Sequence, residues 1–209
     1  MRLVTAAAGA KAPALDVPPA PGADRHVALD LVNSAIALPG GHVLDLLGTP
    51  DSANAWLTDR DLAPRAFGMR EQCAAQLRAL REQLRAVIAA HVDQLPPPDS
   101  ALAAVNDAMT RVPTASLLRW DAGRGLRREA SHPVTQALDH ALAALAVDAA
   151  DLLTGPDAPL LAACGAPSCQ RYLLRTHGRR QWCSVRCGDR VRAARAYARR
   201  TAGSRSATG

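Results

Sequence analysis

The chain has 209 residues, of which 48% are hydrophobic and only 3% aromatic, with 25 Lys and Arg against 19 Asp and Glu for a formal net charge of +6. That length accommodates one core of roughly 130 residues plus an appendage. No apolar run approaches the ~20 residues of a membrane-spanning helix, so the expectation is a soluble protein with a helical core built mainly from Ala and Leu.

Residues 1–24 are rich in Ala, Pro and Gly without periodicity and read as a disordered leader, with order beginning near His26. Residues 27–34 are apolar with embedded polar groups, and Pro39-Gly40-Gly41 then forces a loop. Asp51 or Ser52 is placed to cap a short helix carrying Ala55, Trp56 and Leu57. Across residues 69–92, Leu77, Leu80, Leu84, Val87 and Ile88 follow three-and-four spacing, with Arg78, Arg81, Glu82 and Arg85 mainly on the other side, which predicts a long amphipathic helix. Cys73 lies within it and reads as a small buried hydrophobe. Pro96-Pro97-Pro98 ends that helix, and Asp99 or Ser100 caps another through about Thr110. Residues 115–120 and 125–129 flank a glycine turn and predict a β-hairpin. A second strong helix, over residues 134–153, carries the apolar stripe Leu138, Ala141, Leu142, Leu145, Ala149 and Leu152, and Gly155-Pro156 closes it.

Cys164, Cys169, Cys183 and Cys187 follow as two close pairs separated by thirteen residues. Two short loops, each offering a pair of thiolates, close the tetrahedral shell of Zn²⁺ and leave no vacancy for catalysis, so the metal would be structural. Disulfides and four unrelated thiols are the competing readings. Disulfides need an oxidising compartment; the start, Met1-Arg2-Leu3-Val4-Thr5 and then alanines interrupted by Lys11, lacks the apolar run of an export signal, and the expected location is cytoplasmic. His177 is an alternative ligand, although four sulfurs already complete the shell. Residues 161–209 hold eleven arginines and one acid, Asp189, for a net +10, whereas residues 1–160 hold 14 bases and 18 acids. After four thiolates and one Zn²⁺ the segment still keeps about +8, the footprint of a protein that binds a polyanion.

Locally, residues 164–169 read as a zinc knuckle, residues 170–182 as a hairpin, and Ser184 as the N-cap of a helix that has Cys187 one turn in. At 100° per residue, Cys187, Val191, Ala194 and Ala198 share one sector, which predicts the face turned to the metal. Arg186 and Arg190 lie on one flank, Arg192, Arg195 and Arg199 on the other, and Arg179 and Arg180 approach from the hairpin. The fold class expected is therefore mainly α with a small β-hairpin: a helical N-terminal domain followed by a treble-clef-like zinc finger.

The run Trp182-Cys183-Ser184-Val185-Arg186-Cys187-Gly188-Asp189-Arg190, preceded by Cys164 and Cys169, resembles the CGNR zinc finger family. Upstream, Leu29-Asp30-Leu31-Val32-Asn33-Ser34, Trp56-Leu57 and the paired helices are similar to the ABATE domain that usually accompanies this finger. The resemblance implies a stress-responsive transcription regulator: a leader at 1–24, an ABATE-like domain for sensing or assembly at 25–157, the finger at 158–200 and a disordered tail at 201–209. It also implies one structural Zn²⁺ held by Cys164, Cys169, Cys183 and Cys187. Double-stranded DNA would be contacted by Arg179, Arg180, Arg186, Arg190, Arg192, Arg195 and Arg199, with Arg190 first among candidates for a guanine edge, and a small-molecule or protein signal would act at the N-terminal domain. Two departures stand out. Asp189 occupies the position where the family has Asn, and either repels a phosphate or pairs with Arg192; Arg175 makes the hairpin region more basic than in many relatives.

An enzyme is not expected. A zinc deaminase needs His-x-Glu and Pro-Cys-x-x-Cys, and neither occurs; no Ser-His-Asp grouping or phosphate-loop glycine pattern is present; and His26, His42, His91, His132 and His140 are scattered. Asn33 is read as bonding to a turn or helix end, with ligand contact as the alternative. The alternative function is a protein- or RNA-interaction module in which the finger is purely structural; against single-strand binding, the finger offers only Tyr172, Trp182 and Tyr197 for stacking.

Overall fold

The computed structural model describes residues 17–38, 42–65, 67–112, 115–131 and 137–206. The loop expected at 39–41, the first residues of the helix expected at 134 and His132 lie outside the described residues.

The helical part is built on α3 (Glu71–Val92), α4 (Asp99–Thr110) and α5 (Ala137–Thr154), which all pack on one another. Leu77, Leu80, Leu84, Val87 and Ile88 of α3 face the stripe Leu138, Ala141, Leu142, Leu145, Ala149 and Leu152 of α5, as the three-and-four spacing predicts. A short α1 (Val27–Val32) lies against both, and Ala28, Leu29, Leu31 and Val32 are buried. Its start is held by α5, because the Ala28 N–H donates to Asp148 Oδ2 at 2.7 Å. The His26 ring is seated between Asp148 and Asp157, at 3.1 Å from each.

Two of the caps differ from expectation. In α2 (Pro50–Thr58) the cap is Thr49, whose hydroxyl accepts from the Ser52 N–H while the Ser52 hydroxyl reaches back to the Thr49 N–H. Pro50 fixes the first helical position, which puts Asp51 and Ser52 two and three residues past the cap. Likewise α4 begins after Pro98, and no side chain caps it; Asp99 and Ser100 are already inside the helix.

Among the described residues the strands form three antiparallel pairs. β1 (Ala35–Ala37) pairs antiparallel with β2 (Val43–Asp45), and β3 (Ala115–Asp121) with β4 (Gly125–Ser131). The β3–β4 turn is fixed by Asp121 Oδ1, which accepts from the Gly123 and Arg124 N–H groups, and by Gly125 at φ +72. The third pair, β5 (Leu161–Ala163) with β6 (Tyr172–Leu174), corrects the hairpin expected at residues 170–182. The strands flank the first cysteine knuckle, since the five-residue spacing of Cys164 and Cys169 itself reverses the chain.

β6 divides two cores. Leu174, with Leu161, belongs to the large helical core, while Leu173 belongs to a second cluster with Cys164, Ala166, Cys183, Cys187 and Val191. Alternating side chains of one strand thus serve opposite faces. Residues 17–24, expected in the leader, are part of this assembly: Ala20 is buried among the finger residues, and the Leu174 N–H donates to Pro21 O at 2.8 Å. Gly22, at φ +95, lies against Leu174, whose Cγ would be 2.5 Å from any added Cβ. Residues 1–16 of the expected leader lie outside the described residues. The expected tail is also shorter, because α6 (Val185–Ser206) continues through 201–206, and residues 207–209 lie outside the described residues. Among the described residues, no helix is long and apolar enough to cross a membrane.

Candidate metal centre

The first knuckle turns at Ser168, which adopts φ +61, so the left-handed residue is Ser168 and not Gly165. The Cys164 N–H donates to Arg171 O and the Gly165 N–H to Gln181 O, which ties the knuckle to β6 and to the segment before Trp182. The second pair enters at α6: the Ser184 hydroxyl accepts from the Cys187 N–H at 3.2 Å, the capping contact expected. Trp182 covers the start of α6, and Gly188 is where its ring fits, since an added Cβ would stand 3.2 Å from Trp182 Cε3.

These elements bring all four sulfurs within 4.8 Å of one another, with Cys169 to Cys183 and Cys183 to Cys187 at 3.7 Å. A tetrahedron with Zn–S near ~2.3 Å needs sulfurs about 3.8 Å apart, so the set fits one zinc ion. Hydrogen bonds from Cys169 and Cys183 hold the Cys164 thiol well below its ordinary value against burial, and those bonds push Cys169 up to about 11 and Cys183 higher still. Zinc binding displaces the protons of the thiols that ligate it. The four cysteines and the finger that carries them bind one structural zinc.

A zinc tetrathiolate carries two negative charges, and two arginines stand over it. Arg171, only 6% exposed, directs one guanidinium nitrogen to Cys183 Sγ at 3.9 Å and the other to Pro18 O at 2.9 Å. Arg190 donates to Cys187 Sγ at 3.6 Å. Sequence reasoning did not single out Arg171, although a lone arginine between two apolar strand residues and the knuckle is a recognisable signal.

The expected inward face of α6 holds only at its start. Cys187 and Val191 are buried, but Ala194 and Ala198, which continue the same stripe, are exposed. Arg179, Arg180, Arg186, Arg190, Arg192, Arg195 and Arg199 are all solvent-exposed. Asp189 pairs with Arg192 at 2.5 Å, and His177 is exposed and outside the sulfur cluster.

The segment 29–34 is built into the seam between the helical part and the finger. Asn33 is 2% exposed; its Nδ2 donates to Tyr172 O at 2.9 Å and its Oδ1 accepts from the Tyr172 N–H at 2.8 Å, extending β6 with a side chain in place of a strand. Arg85 of α3 reaches across to Val32 O and Gln170 O and lies over the Tyr172 ring. Asp30 holds Arg60, which stacks on Trp56 at 4.1 Å. Asn33 therefore bonds the finger, a role that no local pattern announces.

Two family models match the chain. The ABATE model, described as "Putative stress-induced transcription regulator", matches residues 25–156, and the CGNR zinc finger model matches residues 161–200. No curated protein matches the chain.

Proposed function

The chain belongs to the ABATE family, and on that premise we propose that it is a zinc-dependent, DNA-binding transcription regulator acting in the cytoplasm, in which residues 158–200 contact double-stranded DNA and residues 25–157 receive a stress signal. The observation that carries the reading is the arginine surface of α6, a helix whose start is fixed beside four cysteines and whose Arg186, Arg190, Arg192, Arg195 and Arg199 are exposed to solvent. A rigid start with an uncovered basic shaft suits a groove lined by phosphates. Arg190 and Arg192 each spend one contact on Cys187 and Asp189. That leaves Arg179, Arg180, Arg186, Arg195 and Arg199 as the foremost phosphate partners.

Five such contacts give a slope of log K against log salt of about −4 to −5. Fluorescence anisotropy of a labelled duplex, titrated at several salt concentrations, tests this. Arg195→Ala/Arg199→Ala flattens the slope by about two. Equal affinity and slope in the native chain and the double variant would reject this DNA face and favour the interaction-module alternative.

A further inference from the structure

Between α3, α4 and α5, at the end of the bundle where α5 leads towards the finger, lies a half-open cavity of about 300 Å³. Its floor is Leu84, Val87, Val105 and Leu153, and its rim carries His91, Asn106 and Thr154. Among the described residues no charged side chain lines it, in a protein with 25 Lys and Arg and 19 Asp and Glu. We propose that this cavity is a binding site for one small uncharged organic molecule, with an aromatic or branched aliphatic body and a single hydroxyl, amide or N–H group.

Size, charge and polarity each narrow the occupant. A dry apolar cavity of about 150 Å³ already admits benzene, so twice that volume takes a one- or two-ring molecule and is far too small for a helix of a partner protein. An ionised group would lose its water and meet no opposite charge, which costs far more than apolar contact returns. A neutral polar group instead finds the Asn106 amide and the Thr154 hydroxyl at the rim; that hydroxyl donates to Ala150 O and keeps its lone pairs for a donor. The His91 ring also lines the site, and its Nε2 meets Ala158 O at 3.1 Å, in the turn that leads into β5 and the finger. Use of this cavity as the signal site rests on the regulatory reading above; its occupancy does not.

The test titrates the zinc-loaded full-length chain with 4-fluorobenzyl alcohol and, separately, 4-fluorobenzoate, followed by ¹⁹F NMR. A neutral ligand of about nine non-hydrogen atoms is expected to bind saturably with Kd of order 1 mM or tighter. The benzoate binds at least ~10-fold more weakly. Ala150→Phe, which places a ring in the cavity from a half-buried position, abolishes binding of the alcohol. Leu102→Trp, from the exposed rim and so without risk to the core, weakens it at least ~5-fold. The proposal is overturned by no saturable binding of the alcohol, by equal binding of alcohol and benzoate, or by unchanged binding in both variants. Since no DNA is present, failure here leaves the DNA reading standing, and failure of DNA binding leaves this result intact.

Discussion

The core around α3 and α5 buries long aliphatic side chains such as Leu77, Leu84, Ile88, Leu145 and Leu152, whereas the core of the finger consists of Leu173, Val191, two alanines and cysteine sulfurs. At about 25 cal/mol per Å² of apolar surface, the first kind of core stabilises itself. The second cannot; the sulfurs need a cation to coexist as thiolates. Yet the two share β6, because Leu174 faces one core and Leu173 the other. The contrast teaches that the finger has two supports, a metal within and a helical domain beneath, and these can be removed separately.

The largest effect comes from the metal. Cys183→Ser/Cys187→Ser is expected to take bound zinc from one per chain to near zero and to melt α6 with both knuckles, since structural zinc contributes on the order of 10 kcal/mol to such modules. Elemental analysis together with circular dichroism checks this, and the α3–α5 bundle should keep a cooperative thermal transition. Loss of that transition would mean that the two cores are one.

The seam sharpens the same comparison at intermediate cost. Leu174→Ala, at a fully buried position in the larger core, lowers global stability by about 3 kcal/mol and leaves zinc bound. Leu173→Ala, one residue earlier, speeds zinc transfer to a chelator instead. Asn33→Ala leaves Tyr172 N–H and C=O without their partner and costs about 2 kcal/mol. Urea unfolding and chelator kinetics on the three variants decide the matter. Identical effects of Leu173→Ala and Leu174→Ala would dissolve the division by strand face.

The smallest effect is electrostatic and confined to the helical side. Burial tends to raise the Asp45 carboxyl, but hydrogen bonds from Arg81 and the Leu47 N–H, with the charges of Arg81 and Arg78, outweigh it and hold the group below the usual carboxylate range. With the folded value depressed, its contribution is complete above the unfolded value near ~4 and is lost as pH falls through the folded value. Urea midpoints measured downward from pH 5 should therefore fall in the native chain, with a shallower fall in Asp45→Asn. Parallel profiles would remove Asp45 from the acid response.

What could be read along the chain was whatever repeats or binds at short range. The stripe on α5 and the faces of α3 declare themselves through 3.6-residue periodicity, and the cysteine pairs through ligand spacing, because each rests on neighbours within a turn or a knuckle. The same reasoning overreached on α6, where Ala194 and Ala198 continue the stripe but are exposed. It also misplaced the second hairpin, because β5 and β6 pair around a knuckle whose reversal is made by Ser168.

Sequence alone thus determined the helices α2 to α6, the zinc ligands and the basic character of the C-terminal segment, all properties of local spacing and charge. Only the tertiary structure decided what those parts are joined to. Asn33 and Tyr172 are 139 residues apart, Arg171 meets Pro18 across 153, and Ala20 is buried among the finger residues. Hydrogen bonds and close packing at such separations depend on where folding brings the chain, and no periodicity or spacing encodes them.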